Sequence, residues 1–376
     1  MPSEPKHRQI SRELMTEIAA GRYAPAGRLP SESQLVARFG ASRPTVARAL
    51  RDLQEQGLIE RRVGSGSFVS RRAPAAPGAL RQLGLLTPGL GTTEFFEAVC
   101  GELAGLARVH EYGLFWGGGS LAGAQGDTSP EAAEAICEQI VRREVSGVFF
   151  APAEQAPRAR DVNLRVTERL QKAGIAVVLL DRDVVPFPAR SPFDLVGVDN
   201  FAGGYLQADH LLRLGCRRPV YLARPLSAPT VAARIAGARE AVIARGPGAP
   251  PDFVRIGDPA DRSLVRDLTG AGGADAVICA NDHLAAELLR AFAREGVRVP
   301  RDVQVVGFDD VRYAGLLSVP LTTVHQPCRE IATAAFRAML DRVTDPGLPA
   351  RGVSLSPRLV VRESCGAYLH RGEGGE

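Results

Sequence analysis

Residues 29–53 read LPSESQLVARFGASRPTVARALRDL, and this stretch decides the fold of the front of the chain. Gln34 follows Ser31 by three residues, the spacing of a capping box, so a helix opens there; Gly40 closes it. A second helix opens at Ser42, with Pro44 in its first turn, where a missing N–H does no harm. Val46, Ala49, Leu50 and Leu53 then recur at i, i+3, i+4 and i+7, which buries them on one face and turns Arg43, Thr45 and Arg48 outward. Upstream, Ile10, Leu14 and Ile18 mark a helix from about His7 to Ala20. Downstream, Leu58 to Val63 is a short strand, Gly64-Ser65-Gly66 a tight turn, and Ser67-Phe68-Val69 the return strand. Three helices and a hairpin make a winged helix-turn-helix, assigned to residues 1–70.

The charge distribution agrees with that assignment. The chain of 376 residues has a formal net charge of +4, but residues 1–72 hold 13 Lys/Arg against 7 Asp/Glu, a local +6, and the remainder carries −2. Only the front is suited to a polyanion. No run of about 18 apolar residues appears and the N-terminal residues lack an apolar signal core, so a soluble, cytoplasmic protein with no membrane partner is expected. The six cysteines are scattered, without CxxC or Cys/His spacing; reduced thiols are expected, and neither metal nor cofactor.

Residues 71–80, rich in Pro, Ala and Gly, read as a linker. From there to residue 376 short apolar strands alternate with amphipathic helices in two successive series. The first runs from Gln82–Leu86 through Ala176–Leu180 and the second from Leu195–Val198 to Gln304–Phe308. This alternation predicts parallel sheets covered on both faces, and two series predict two lobes. Lobe 1 is assigned to about 81–198 and 326–352, lobe 2 to about 199–325 and 353–364.

The first 70 residues resemble the GntR family of winged-helix regulators, through Leu29-Pro30-Ser31-Glu32, Phe39-Gly40, Ser42-Arg43, Thr45-Val46, Ala49-Leu50, Gly57-Leu58-Ile59, Gly64 and Gly66. Residues 81 to about 364 resemble the effector domain of the LacI family, which shares its fold with periplasmic sugar-binding proteins. That likeness is carried by Phe95-Phe96, Asp181-Arg182, Gly197-Val198-Asp199-Asn200, Arg234 with Gly237, Ala280-Asn281-Asp282, Val305 to Asp310, and Pro320 to Pro327. The implied fold is an α+β winged helix-turn-helix domain followed by a two-lobed α/β domain like type I periplasmic binding proteins.

The resemblance implies a ligand-responsive repressor and not an enzyme. Double-stranded DNA would meet Ser42, Arg43, Thr45 and Arg48 in the major groove, with Arg62, Gly64, Ser65 and Gly66 on the wing and Arg61 serving phosphates beside Arg62. A small effector, a sugar by resemblance, would meet Phe95 and Phe96 as an apolar wall, with Asp181, Arg182, Arg234, Asn281, Asp309 and Gln326 as donors and acceptors. A homodimer on a palindromic operator is expected, released from DNA by the effector. Blander readings stand beside these: Arg48 and Arg62 also fit a solvated face, Arg182 with Asp181 or Asp309 a plain ion pair, and Phe95 a core position. A nucleobase or nucleoside is the alternative effector. A pyridoxal-phosphate enzyme domain needs a Schiff-base lysine, and only Lys6 and Lys172 are present.

Overall fold

The structure is a computed structural model that describes residues 5–19, 22–23, 27–55, 58–62, 66–69, 81–87, 94–117, 130–154, 157–245, 250, 252–270 and 272–372. It divides into two compact units, Met1–Arg81 and Gln82–Glu376.

In the first unit, α1 (Lys6–Ala19), α2 (Glu32–Phe39) and α3 (Arg43–Glu55) precede a hairpin of β1 (Ile59–Arg62) and β2 (Gly66–Val69). The capping box forms as its spacing predicts: the Ser31 N–H donates to Gln34 Oε1 at 2.8 Å and the Gln34 N–H to Ser31 Oγ at 3.3 Å. Gly40 takes the left-handed conformation that ends α2, with φ 54°. Ile10, Leu14, Leu35, Val46, Leu50 and Leu53 fill the core. Beside it Glu17, 7% exposed, is held by Arg22, Tyr23 and Arg38, whose hydrogen bonds keep its carboxyl down at about 2. Gly64, Ser65 and the linker 71–80 lie outside the described residues.

The second unit holds two six-stranded sheets. One has the order β13-β7-β6-β5-β3-β4 and the other β14-β12-β11-β10-β8-β9. Their strands are β3 (Arg81–Leu86), β4 (Tyr112–Trp116), β5 (Gly147–Phe150), β6 (Ala176–Leu180), β7 (Asp194–Val198), β8 (Pro219–Ala223), β9 (Val254–Ile256), β10 (Ala276–Cys279), β11 (Gln304–Asp309), β12 (Thr322–His325), β13 (Gly352–Leu355) and β14 (Arg358–Val360). The helices are α4 (Glu94–Val109), α5 (Pro130–Arg142), α6 (Ala159–Lys172), α7 (Asn200–Arg213), α8 (Pro229–Arg245), α9 (Arg262–Thr269), α10 (Asp282–Arg294) and α11 (Cys328–Thr344). The central strands β5, β6, β10 and β11 are apolar and almost wholly buried, as strands covered on both faces must be.

The chain passes between the lobes three times, after β7, after β12 and after β13. The third crossing corrects the predicted boundary at 352/353. Val353 to Leu355 belong to lobe 1, because all of β13 pairs with β7, and the chain changes lobe only at 356–357. β14 also departs from the all-parallel expectation: it runs antiparallel to β12 as the edge strand of lobe 2.

Candidate functional site

Central parallel strands of both sheets (β5, β6, β8, β10, β11 and β12) end at one cleft of about 580 Å³, its open mouth included. This is where open α/β sheets place ligands. Asp181 follows the last residue of β6, Asp309 ends β11, Gln326 follows β12, and Asn281 lies just past β10. Asp181 and Asp309 both hold positive φ, 68° and 122°. Such strained backbone at strand ends re-aims a side chain toward the cleft.

All eight residues expected to meet the effector line this cleft: Phe95, Phe96, Asp181, Arg182, Arg234, Asn281, Asp309 and Gln326. Their surroundings differ. Phe95 is 8% exposed and packs into the core of lobe 1, while Phe96 meets it edge-on at 4.9 Å and stands under the Arg182 guanidinium at 5.6 Å. Arg182 is buried; its Nε donates to Asp181 Oδ2 at 3.0 Å, and its Nη1 lies 2.6 Å from Glu154 Oε2. The ion pair and the cleft position are therefore both real for this arginine. Asn281 caps α10 at the cleft wall, its Oδ1 accepting from the Leu284 N–H at 2.8 Å.

Arg234 reaches the cleft through a close helix crossing. A Cβ on Gly204 of α7 would lie 1.9 Å from the Arg234 carbonyl oxygen, and one on Gly237 of α8 would lie 1.9 Å from that of Phe201. Only glycine permits this backbone contact. Arg234 then donates from Nε to Asn200 Oδ1 at 2.8 Å and from Nη1 to the Ala280 carbonyl at 2.7 Å, with its guanidinium carbon over the Phe308 ring at 3.6 Å. Burial pushes the Asp309 carboxyl up to about 6, with Asp181 and Glu154 adding to the rise; Arg234 and a 2.8 Å hydrogen bond from Gln326 Nε2 oppose it. Gln326 Oε1 is buried without a partner.

Residues that sequence reasoning missed also line the cleft: Glu154, Arg224, Ser227, Thr230, Val231 and Leu284. Glu154 carried a usable signal, since it lies shortly beyond an apolar strand. Its Oε2 accepts from the Ala228 N–H of lobe 2 at 3.1 Å, and Glu94 Oε2 likewise accepts from the Arg312 N–H at 2.7 Å, so the lobes meet through two carboxylates.

In the first unit, Ser42, Arg43 and Arg48 are exposed at and along α3, and Thr45 is half-buried with its hydroxyl 2.8 Å from that of Ser42. Gly66 has φ 105° at the start of β2, and Arg62 pairs with it in the hairpin. Arg61, expected to serve phosphates, pairs with Glu32 on the exposed surface of the reader. The six cysteines are free, and no metal-binding cluster occurs among the described residues. No helix among them is long and apolar enough to cross a membrane.

Residues 6–69 match the family model for bacterial regulatory proteins of the gntR family, and residues 208–365 that for the periplasmic binding protein-like domain. The HTH-type transcriptional repressor PurR of Klebsiella pneumoniae (strain 342) is 30% identical over 240 residues, 62% of this chain and 67% of that protein. The chain belongs to the GntR-type bacterial regulatory proteins that carry a LacI-type effector domain. The arabinose metabolism transcriptional repressor of Geobacillus stearothermophilus is 27% identical over 384 residues and spans both domains, covering 96% of this chain and 97% of its own. A solved LacI-family regulator from Sanguibacter keddieii, 28% identical, covers 77% of this chain and 100% of that one with a TM-score of 0.60. This GntR-type regulator is thus a ligand-responsive, DNA-binding transcriptional repressor.

Proposed function

We propose that the repressor releases its operator when a sugar fills the cleft, and that it acts in the cytoplasm as a homodimer on palindromic DNA. The observation that carries this reading is the convergence of Asp181, Arg182, Asn281, Asp309 and Gln326 on strand and loop ends from both lobes. Planar amide, carboxylate and guanidinium groups make forked hydrogen bonds to adjacent hydroxyls, and Phe96 offers an apolar wall for C–H groups. A ligand touching both lobes favours the closed form by its differential affinity; in a dimer, closure changes the spacing of the two DNA readers. The relatives named for arabinose metabolism support the sugar, and nucleobases and nucleosides stay in the test as the alternative effector.

On the reader, Ser42, Arg43, Thr45 and Arg48 are the proposed major-groove contacts, and Arg62 with Gly64, Ser65 and Gly66 the wing contacts. Lys172 stands 80% exposed beside Glu168 at the end of α6, away from the residues that line the cleft, so it is not placed for a Schiff base there. Thermal unfolding of wild type and Asp309→Ala against sugars, nucleosides and nucleobases tests the reading. A sugar that raises the wild-type midpoint and not the variant's supports it; stabilisation by nucleobases alone refutes the sugar.

A further inference from the structure

Three guanidiniums, those of Arg182, Arg224 and Arg234, face the cleft, a number that by itself suggests an anionic ligand. The geometry weighs against it, because two of the three are already held by carboxylates, and the third spends part of its guanidinium on neutral groups. Arg182 lies between Asp181 and Glu154, with N···O distances of 3.0 and 2.6 Å. Arg224 is held by Asp258 at 2.8 Å and by Glu287. Arg234 spends Nε and Nη1 on Asn200 and the Ala280 carbonyl. No unoccupied fork of the kind that grips phosphate or carboxylate remains on Arg182 or Arg224.

The polar groups left over point the same way. Gln326, 2% exposed, has a buried Oε1 with no partner, and this atom needs a donor. Arg182 Nη1 lies near Glu154 Oε2 but out of line for a hydrogen bond, and it needs an acceptor. A hydroxyl group supplies both roles, whereas a phosphate dianion or a carboxylate offers only acceptors. Glu154 and Asp181 meanwhile set a negative field strong enough to help raise the neighbouring Asp309 carboxyl. That field opposes any further negative charge.

We propose that the cleft selects an uncharged polyol over the same compound bearing a phosphate or carboxylate, and that Glu154 sets this selectivity. The inference rests on the sugar reading of the cleft. Glu154 is suited to the role because its loop is pinned: Asn163 Oδ1 accepts from the Ala153 N–H at 2.9 Å, and Asn163 Nδ2 donates to the Ala153 carbonyl at 3.0 Å. Its Oε2 also accepts from Ala228 of the other lobe, so its charge stays in the cleft when the lobes are together. An incoming anion would have to displace it from Arg182.

The test is calorimetric titration of the full-length protein with matched pairs: D-ribose and D-ribose 5-phosphate, D-glucose and D-glucose 6-phosphate, L-arabinose and L-arabinonate. Wild type should bind the neutral member of at least one pair ten times more tightly than its anion. In Glu154→Gln, which keeps an acceptor at the same place, that ratio should contract at least fivefold through tighter anion binding. Glu154→Asp, which keeps the charge, should retain discrimination. A wild-type preference for the anion, an unchanged ratio in Glu154→Gln, or equal loss in both variants overturns the proposal. Failure of every member of every pair to bind wild type is a different result: it refutes the sugar reading and the inference with it.

Discussion

Replacing Asp309 by Asn should strengthen the fold while destroying the response. The carboxyl of Asp309 is raised from 3.8 to about 6, so ionising it in place near neutral pH costs about 3 kcal/mol relative to the unfolded chain. Asparagine removes that cost. Its amide oxygen still accepts from Gln326 Nε2, and the stronger bond to the charged form is already included in that shift. Asn is nearly isosteric with the Asp that already holds φ 122° at this position, so the backbone cost is unchanged. The net gain is about 3 kcal/mol at pH 7.5, a rise of about 6 °C in the calorimetric transition of the effector domain. The pH dependence has a definite sign. A raised acid in the native state disfavours folding above its native pKa and is neutral below its unfolded pKa, so the gap between variant and wild type should close as pH falls from 6 to 4. Ligand affinity should fall about a hundredfold, the equivalent of one lost charge-assisted pair of hydrogen bonds at about 3 kcal/mol. A variant less stable than wild type at pH 7.5, or a stability gap that persists at pH 4, refutes the reasoning.

Effector binding by wild type should weaken as pH falls through 6, because protonated Asp309 loses an acceptor for ligand hydroxyls; calorimetry between pH 5 and 8 reads this directly. Gly204→Ala should cost about 1–3 kcal/mol of stability through overpacking, and it should weaken effector binding as α7 pushes Arg234 out of place, measured by calorimetry and titration together. Arg43→Ala should cost about 1–3 kcal/mol of operator binding and relax specificity at one base position, read by fluorescence anisotropy over a set of single-base operator variants. The lowered Glu17 carboxyl contributes stability to the reader above its unfolded pKa near 4.5 that is lost as pH falls toward 2. Glu17→Gln should remove much of this acid sensitivity in a circular-dichroism titration, and an unchanged acid transition would refute it.

What the sequence made legible follows from how local each signal is. The capping box at Ser31 and Gln34 and the period of Val46, Ala49, Leu50 and Leu53 depend only on neighbours, so the reader could be drawn from them. Likewise, apolar strands ending in Asp181 and Asp309 announced residues at the mouth of a sheet. The crossings between lobes were less legible. β13 is four residues long with alternating exposure, too short to declare its sheet, and its membership is decided by pairing with β7 more than 150 residues earlier. Arg224 was missed for a related reason: it lies on a loop after a strand, where no periodicity marks a side chain as facing inward; Glu154 lies on such a loop too, and only the apolar strand before it points to the cleft. The glycines at 204 and 237 become intelligible only once α7 and α8 are seen to touch backbone to backbone.

The central claim is that filling the cleft changes the grip on DNA. It is tested most directly by selecting a DNA fragment from a random pool with the full-length protein, then measuring its affinity by fluorescence anisotropy with and without a sugar that stabilises the protein. The account predicts at least a tenfold loss of DNA affinity for wild type when the sugar saturates it, and no change for Asp309→Asn. Unchanged affinity in the presence of every sugar that binds the cleft would contradict it.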